Sequence, residues 1–286
     1  FTPRYHELHD GSTNIVPCAT VRTCSTHASC AQGRSTIEPT ADDKGERVRI
    51  TLVSGKQIVS EAALYSIGRT GATDALELPT AGIKTDDRGR LIVNEQFQTE
   101  QAHIYAVGDL TADISLVNVG ELEGRYAIER IFGDPQHEVV YDNISTIMFL
   151  NPEVASVGLN EIQARREKIP YRVAVMNYRY VNRAIAMSKT DGFFKLLVTD
   201  DEHMRILGLR VMGDHASSTI EAVALMISMN ISIEHLAELI FPHPSIPEGI
   251  QECARMLLGK SIVKPEVFNL DVRCYRVDAE GRVQDL

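Results

Sequence analysis

The sequence predicts a mixed chain, with an α/β first half and an α+β second half, and three observations predict it. Ala62-Ala63-Leu64-Tyr65-Ser66-Ile67-Gly68 is an almost continuous apolar run that ends in a glycine-rich loop, Gly68-Arg69-Thr70-Gly71-Ala72-Thr73. That pattern suits a buried strand of a parallel sheet with a loop at its carboxyl end. Ile104 to Val107 is a second apolar run, stopped by Gly108-Asp109 and followed by a helical period. From Asn143 onward, short strand-like runs and amphipathic helical runs follow one another, as in an α+β domain.

Taken in order, residues 1–34 stand apart. They are rich in Thr, Ser, Cys and His, show no apolar period of 2 or 3.6, and are expected to be a disordered or foreign leader. Cys18, Cys24 and Cys30 recur with His6, His9 and His27 nearby. Structural zinc joins close pairs with about two to four intervening residues, so no metal site is assigned. Order is expected from Gly45. Arg47 to Val53 alternates as a half-buried strand, Ser54-Gly55-Lys56 turns, and Gln57-Ile58-Val59 returns. Arg90 to Asn94 reads as another short strand. After Gly108-Asp109, Leu116 to Phe132 reads as a helix with Leu116, Val119, Leu122, Tyr126, Ile128 and Ile131 as its apolar positions, closed by Gly133 and Pro135.

In the second half, Ile144 to Phe149 is read as a strand, with a turn at Asn151-Pro152. Asn160 caps a short charged helix, with Gln163 at the capping-box position. Strands follow at Tyr171–Arg179, Phe193–Thr199 and Ile206–Val211. Ser217 to Met229 is helical, Ser232 caps a second helix, and Ile250 to Leu258 forms a third that ends at Gly259. The tail after Pro265 is polar and is expected to be loosely held.

Between the last two helices lies Phe241-Pro242-His243-Pro244-Ser245-Ile246-Pro247-Glu248. Prolines fix φ and remove donors, so this is a rigid turn that presents His243 in a nearly constant direction. Glu248, five residues later at a helix start, can turn back to the imidazole and orient it, which is how a general acid/base is built. The same residues also suit a plain helix start with a surface histidine.

A chain of 286 residues suggests about two domains, and 44% hydrophobic residues supply ordinary cores. A net charge of −10 argues against a nucleic-acid partner. No apolar run has the length of a membrane span, and no signal-peptide pattern precedes Arg34. Five cysteines, an odd number, do not read as a disulfide framework, so a cytoplasmic setting is expected. The missing initial Met leads to the expectation of a fragment.

Thr99…Ile104-Tyr105-Ala106-Val107-Gly108-Asp109, Gly68-Arg69-Thr70-Gly71-Ala72-Thr73 and His243-Pro244…Glu248 together resemble the flavin-dependent pyridine nucleotide–disulfide oxidoreductases over about residues 45–268. Asn151-Pro152-Glu153-Val154-Ala155-Ser156-Val157-Gly158 resembles the opening of that family's interface domain. The resemblance implies partial FAD- and NAD(P)-binding Rossmann-like domains followed by an α+β dimerisation domain. It divides the chain into a leader (1–34), the C-terminal part of an NAD(P)-binding domain (35–90), the C-terminal part of an FAD-binding domain (91–138), a dimerisation domain (139–270) and a tail (271–286). It implies that Asp109 bonds the ribityl chain of FAD, with Gly108 permitting the approach. The backbone at Leu116 and Val117 would lie beside the isoalloxazine ring. Gly68 and Arg69 would belong to the last strand and loop of the NAD(P) domain. His243 would be the acid/base that moves a thiol proton, with Glu248 as its orienting partner, across a homodimer interface.

The chain departs from the family in lacking both Gly-x-Gly-x-x-Gly fingerprints and any two cysteines separated by four residues. The activity implied for the intact parent is dihydrolipoamide dehydrogenase-like, with FAD and NAD or NADP as cofactors and the 2-oxo acid dehydrogenase complex as a partner. His243 favours the dithiol, because passing hydride between nicotinamides needs no thiol base. The glycine-rich loop and Ile240-Phe241 favour a soluble pyridine nucleotide transhydrogenase with a nicotinamide substrate. A catalytically inactive dimerisation module is the reading from a different class.

Overall fold

The structure is a computed structural model and describes residues 19–22, 28–31, 36–43, 45–52, 54–65, 70–111, 114–133, 138–265, 267–268 and 271–286. The chain forms two compact units, Phe1–Pro135 and Gln136–Leu286.

In the first unit, β1 (Ala19–Arg22) and β2 (Ala28–Ala31) pair with each other. A meander of β3 (Thr36–Asp42), β4 (Gly45–Thr51) and β5 (Gln57–Ser60) follows, with Asp42 opposite Gly45 and Val48 opposite Ser60. It buries Ile50 completely. Two expectations are corrected here. Strand β6 (Ala62–Tyr65) is not in a parallel sheet: it pairs antiparallel with β1, Ala19 opposite Tyr65. Ala62 is exposed and Ala63 half-buried, so the apolar composition of the run set neither their burial nor the direction of the neighbouring strand. The leader is not structureless throughout, because β1 and β2 lie within it. Main-chain pairing needs no apolar period, so composition did not reveal them. The histidines and Cys18 and Cys24 of the leader lie outside the described residues.

The expected strands at Arg90–Asn94 and Ile104–Val107 reduce to single bridges, Thr85 with Leu91 and Gln98 with Tyr105. They close a small core of Ile83, Leu91 and Ala106. The long helix is α1 (Val117–Phe132), with Leu116 as its N-cap. Its buried stripe is Val119, Glu123, Tyr126 and Ala127, while Leu122, Ile128 and Ile131 are exposed, so the apolar face differs from the one read from the sequence.

The second unit is built on one antiparallel sheet of seven strands. These are β7 (Thr146–Met148), β8 (Val154–Gly158), β9 (Tyr171–Asn177), β10 (Phe193–Thr199), β11 (Ile206–Met212), β12 (Val272–Val277) and β13 (Val283–Asp285), in the order β13-β12-β9-β10-β11-β8-β7. Alternation along β9 sends Ala174 and Met176 to one core and Tyr171 and Val173 to another. The smaller core is covered by α2 (Glu161–Arg166), whose start is fixed by a reciprocal capping box between Asn160 and Gln163.

The larger core takes residues from α3 (Asn182–Ala186), α4 (Glu221–Ser228), α5 (Ile233–Glu238) and α6 (Glu248–Leu257). Ile250, Cys253, Ala254 and Leu257 repeat at helical spacing and seat α6 on the sheet. The expected helix 217–229 is split into a 3-10 turn, Ala216–Thr219, and α4. The loose tail is also corrected. Val272, Cys274, Tyr275 and Val277 are buried in β12, which pairs with β9 along its length. The exposed Arg273 and Arg276 disguise this alternation as a polar stretch.

Candidate active site

The second unit carries a histidine–carboxylate pair. Helix α5 begins at Ser232, whose hydroxyl accepts from the Glu234 amide, and ends at Leu239. The buried side chain of Gln251 on α6 donates to the carbonyls of Leu236, Ala237 and Leu239, closing the C-terminal end of α5 from outside. The loop continues through Phe241, which packs against the large core, and a cis His243–Pro244 bond, and is pinned again by the buried Ile246. Pro247 then stands at the N-cap position of α6.

His243 Nδ1 lies 2.8 Å from Glu248 Oε1, and the Ser245 amide donates to Glu248 Oε2 at 2.6 Å. The carboxylate is thus held by both oxygens at the first turn of α6, where the helix dipole favours a negative charge. An ionised carboxylate only accepts, so in a pair with one Nδ1 is the donor and Nε2 is the ring nitrogen turned away from it. The imidazole is 61% exposed while its partner is 27% exposed, so the ring faces solvent and the carboxylate is sheltered. The sequence placed both residues; the Ser245 amide, a backbone group, left no residue-type signal.

The first unit carries the Gly108-Asp109 turn. Gly108 has φ +69°, the left-handed region that glycine enters without strain, and Gly108–Leu110 forms a 3-10 turn. The Gly108 carbonyl accepts from the Thr111 amide and hydroxyl, and the Leu110 carbonyl accepts from the Leu91 amide. Asp109 is half-buried at the centre of this turn. The Gly108 amide donates to the buried carboxylate of Glu123 at 2.7 Å. Sequence reasoning missed Glu123, although a charged residue between Val119 and Tyr126 on one helical stripe was the available signal. Leu116 is half-buried and offers no side-chain cap to the first turn of α1, and Val117 is 76% exposed. Gly68 and Arg69 lie outside the described residues.

Among the described residues no three His, Cys, Asp or Glu side chains are grouped to hold a metal ion. No described helix is long and apolar enough to cross a membrane.

Two family models match the chain: pyridine nucleotide–disulphide oxidoreductase over residues 32–124, and the dimerisation domain of the pyridine nucleotide–disulphide oxidoreductases over residues 144–254. The chain belongs to the pyridine nucleotide–disulphide oxidoreductase family. Members of this family are flavin-dependent and use FAD and a pyridine nucleotide.

Among its relatives, a soluble pyridine nucleotide transhydrogenase of Mycobacterium bovis is 34% identical over 228 residues, covering 78% of this chain and 47% of that protein. The mitochondrial dihydrolipoyl dehydrogenase of Pisum sativum is 34% identical over 226 residues, covering 77% and 45%. The crystal structure of LpdA from Mycobacterium tuberculosis superposes with a TM-score of 0.69 at 26% identity, covering 78% of this chain and 48% of that one. The chain spans about half the length of the curated relatives it matches.

Proposed function

We propose that this chain carries the flavin-ring side and the acid/base arm of an FAD-dependent pyridine nucleotide–disulfide oxidoreductase whose parent oxidises dihydrolipoamide with NAD. The observation that carries the proposal is the His243–Glu248 pair at 2.8 Å, with the second carboxylate oxygen held by Ser245. In this reading residues 35–90 and 91–138 supply the ends of the NAD(P) and FAD domains, and 139–270 the dimerisation domain. The tail from Asp271 adds its strands to the same sheet.

The residues present fit the ribityl and ring end of FAD. A half-buried carboxylate stands beside a left-handed glycine, and a helix start that receives no side-chain cap from Leu116 would turn its amides to a ring carbonyl. Asp109 would take the ribityl hydroxyls, Gly108 the close approach, and the backbone at Leu116 and Val117 the ring edge. Gly68 and Arg69 would stand on the nicotinamide side. FAD, when bound, supplies the redox chemistry between the dithiol couple and the nicotinamide nucleotide. The protein's part is proton transfer: His243 Nε2 takes the proton of a dihydrolipoamide thiol, Glu248 holds the resulting imidazolium, and the thiolate becomes the nucleophile. The disulfide that this thiolate attacks has the four-residue cysteine spacing of the family, which none of this chain's cysteines has.

A homodimer is proposed with it. The dimerisation-domain match supports it, and so does the exposure of Leu239 (55%) and Ile240 (95%) beside the His243 loop, an apolar approach suited to cover by a second copy. A cytoplasmic site of action and a 2-oxo acid dehydrogenase complex as partner belong to the same proposal.

The Mycobacterium bovis relative supports a second reading, soluble pyridine nucleotide transhydrogenase activity. Two assays decide. In the enzyme that carries both nucleotide fingerprints and the cysteine pair, His243→Gln is expected to slow dihydrolipoamide oxidation by about a hundredfold to ten-thousandfold and to spare NADH oxidation by an artificial acceptor. Equal losses in both assays count against the base, and hydride transfer between nicotinamides that is indifferent to His243 favours the transhydrogenase. A purified chain that is dimeric and shows no flavin absorbance is an inactive dimerisation module.

A further inference from the structure

We propose that Glu123 is a positioning residue for the flavin, a buried carboxylate that fixes the Gly108–Leu110 turn and, through it, Asp109. The proposal rests on the reading of Asp109 as a ribityl ligand and deepens it. A carboxylate is costly to bury unless hydrogen bonds satisfy it. Glu123 is 1% exposed, on the stripe of α1 that also buries Val119 and Tyr126. A position that packing would fill with an apolar side chain therefore holds a carboxyl group, and that group accepts from the Gly108 amide at 2.7 Å.

The approach that makes this bond is built into the backbone. A Cβ added to Gly120 would stand 3.2 Å from Gly108 Cα, so two glycines let the turn and the helix meet and Glu123 locks them. On the other side the turn is held by the Leu91 amide on the Leu110 carbonyl. Asp109 lies between two fixed neighbours. Leu116, the N-cap of the same helix, belongs to the second part of the proposed flavin contact. Glu123 therefore sets the distance between the two contacts, the Asp109 carboxylate and the amides at the start of α1, that one ligand has to bridge.

The test separates reach from charge. Glu123→Asp keeps the charge and loses the reach; Glu123→Gln keeps an acceptor at the same reach and loses the charge. In the 286-residue chain, amide hydrogen exchange at Gly108 without FAD is expected to quicken about tenfold in Glu123→Asp and to stay near wild type in Glu123→Gln. FAD affinity, read by quenching of flavin fluorescence, is expected to fall about tenfold in the Asp variant and to recover in the Gln variant. Wild-type exchange in Glu123→Asp overturns the proposal, and so does a Gln variant as impaired as the Asp variant. If Glu123→Asp does not fold, Gly120→Ala presses on the turn with the carboxylate left in place, and unchanged FAD affinity in that variant is equally fatal. If the wild-type chain takes up no FAD, the ribityl reading of Asp109 passes to the enzyme that carries both nucleotide fingerprints, and the exchange comparison alone decides for or against the Glu123 lock.

Discussion

Gly249 is the residue whose replacement links the packing of the second unit most directly to the histidine. It is the second residue of α6, next to Glu248. A Cβ there would stand 2.3 Å from Phe194 Cε2, 2.7 Å from Cδ2 and 2.8 Å from Cζ. Carbon atoms settle at about 3.5–4.0 Å, so ring and helix must part by more than about 1 Å. The ring has no room to yield: Phe194 is fully buried and stacked on the fully buried Tyr178, with centroids 4.7 Å apart. Helix α6 must lift instead. Overpacking of this kind costs about 1–3 kcal/mol. Alanine returns at most about 1 kcal/mol of helix propensity, and less in the first turn. Gly249→Ala is therefore expected to destabilise the second unit by about 1–2 kcal/mol, a fall in Tm of about 2–8 °C for a unit of this size. Thermal unfolding followed by circular dichroism measures it, and the ring-proton resonances of His243 report whether Glu248 has moved. A Tm that stays put or rises would refute the argument, because helix propensity would then outweigh the contact with Phe194.

Two further outcomes follow from the same unit. Glu161 accepts from the hydroxyls of Tyr275 and Tyr171 at 2.9 and 3.2 Å and pairs with Lys195. Burial would raise its pKa, but the Lys195 and tyrosine bonds outweigh burial and hold the carboxyl below its ordinary value. A depressed folded-state pKa contributes stability that is present above the unfolded value of about 4.3 and lost as pH falls through the folded one. Glu161→Ala should lose about 2–3 kcal/mol at pH 7 in urea unfolding, with the deficit shrinking on acidification below pH about 4. A deficit that does not change with pH would contradict this. Burial pushes the Cys253 thiol well above its ordinary value, and both Cys253 and Cys274 are buried. Neither should alkylate in the native chain, and both should do so in guanidinium, as peptide mass spectrometry would show. Native labelling of Cys253 at the rate of a free thiol would exclude the packing described.

The second unit was the more legible in the sequence. Strands β9, β10 and β11 carry apolar residues on both faces, and the capping box at Asn160 and the cap at Ser232 are local signals that tertiary packing left intact. The His243–Glu248 spacing was readable because Pro244 and Pro247 stiffen the intervening turn, Pro242 stiffens its entry, and one helical start fixes the carboxylate. What failed depended on partners distant in sequence. The pairing of β6 with β1 is main-chain geometry with no side-chain pattern. The burial of β12 is masked by Arg273 and Arg276, which face outward between apolar neighbours. The burial of Glu123 reverses the usual meaning of a charged residue, and the amide that it receives from Gly108 lies 15 positions away in sequence.

The Gln251 contact with the end of α5 has a mechanical consequence. The chain leaves α5 at Leu239 under the hold of Gln251 and re-enters α6 at Glu248, which grips the histidine and Ser245. Both anchors belong to the same helix, one turn apart, so the loop between them has no pivot of its own. His243 is tied to α6 as a tip is tied to a lever: a tilt of the helix would carry the imidazole and its carboxylate together without breaking the pair. Any partner that presses on the exposed Leu239 and Ile240 therefore pushes on the handle of that lever.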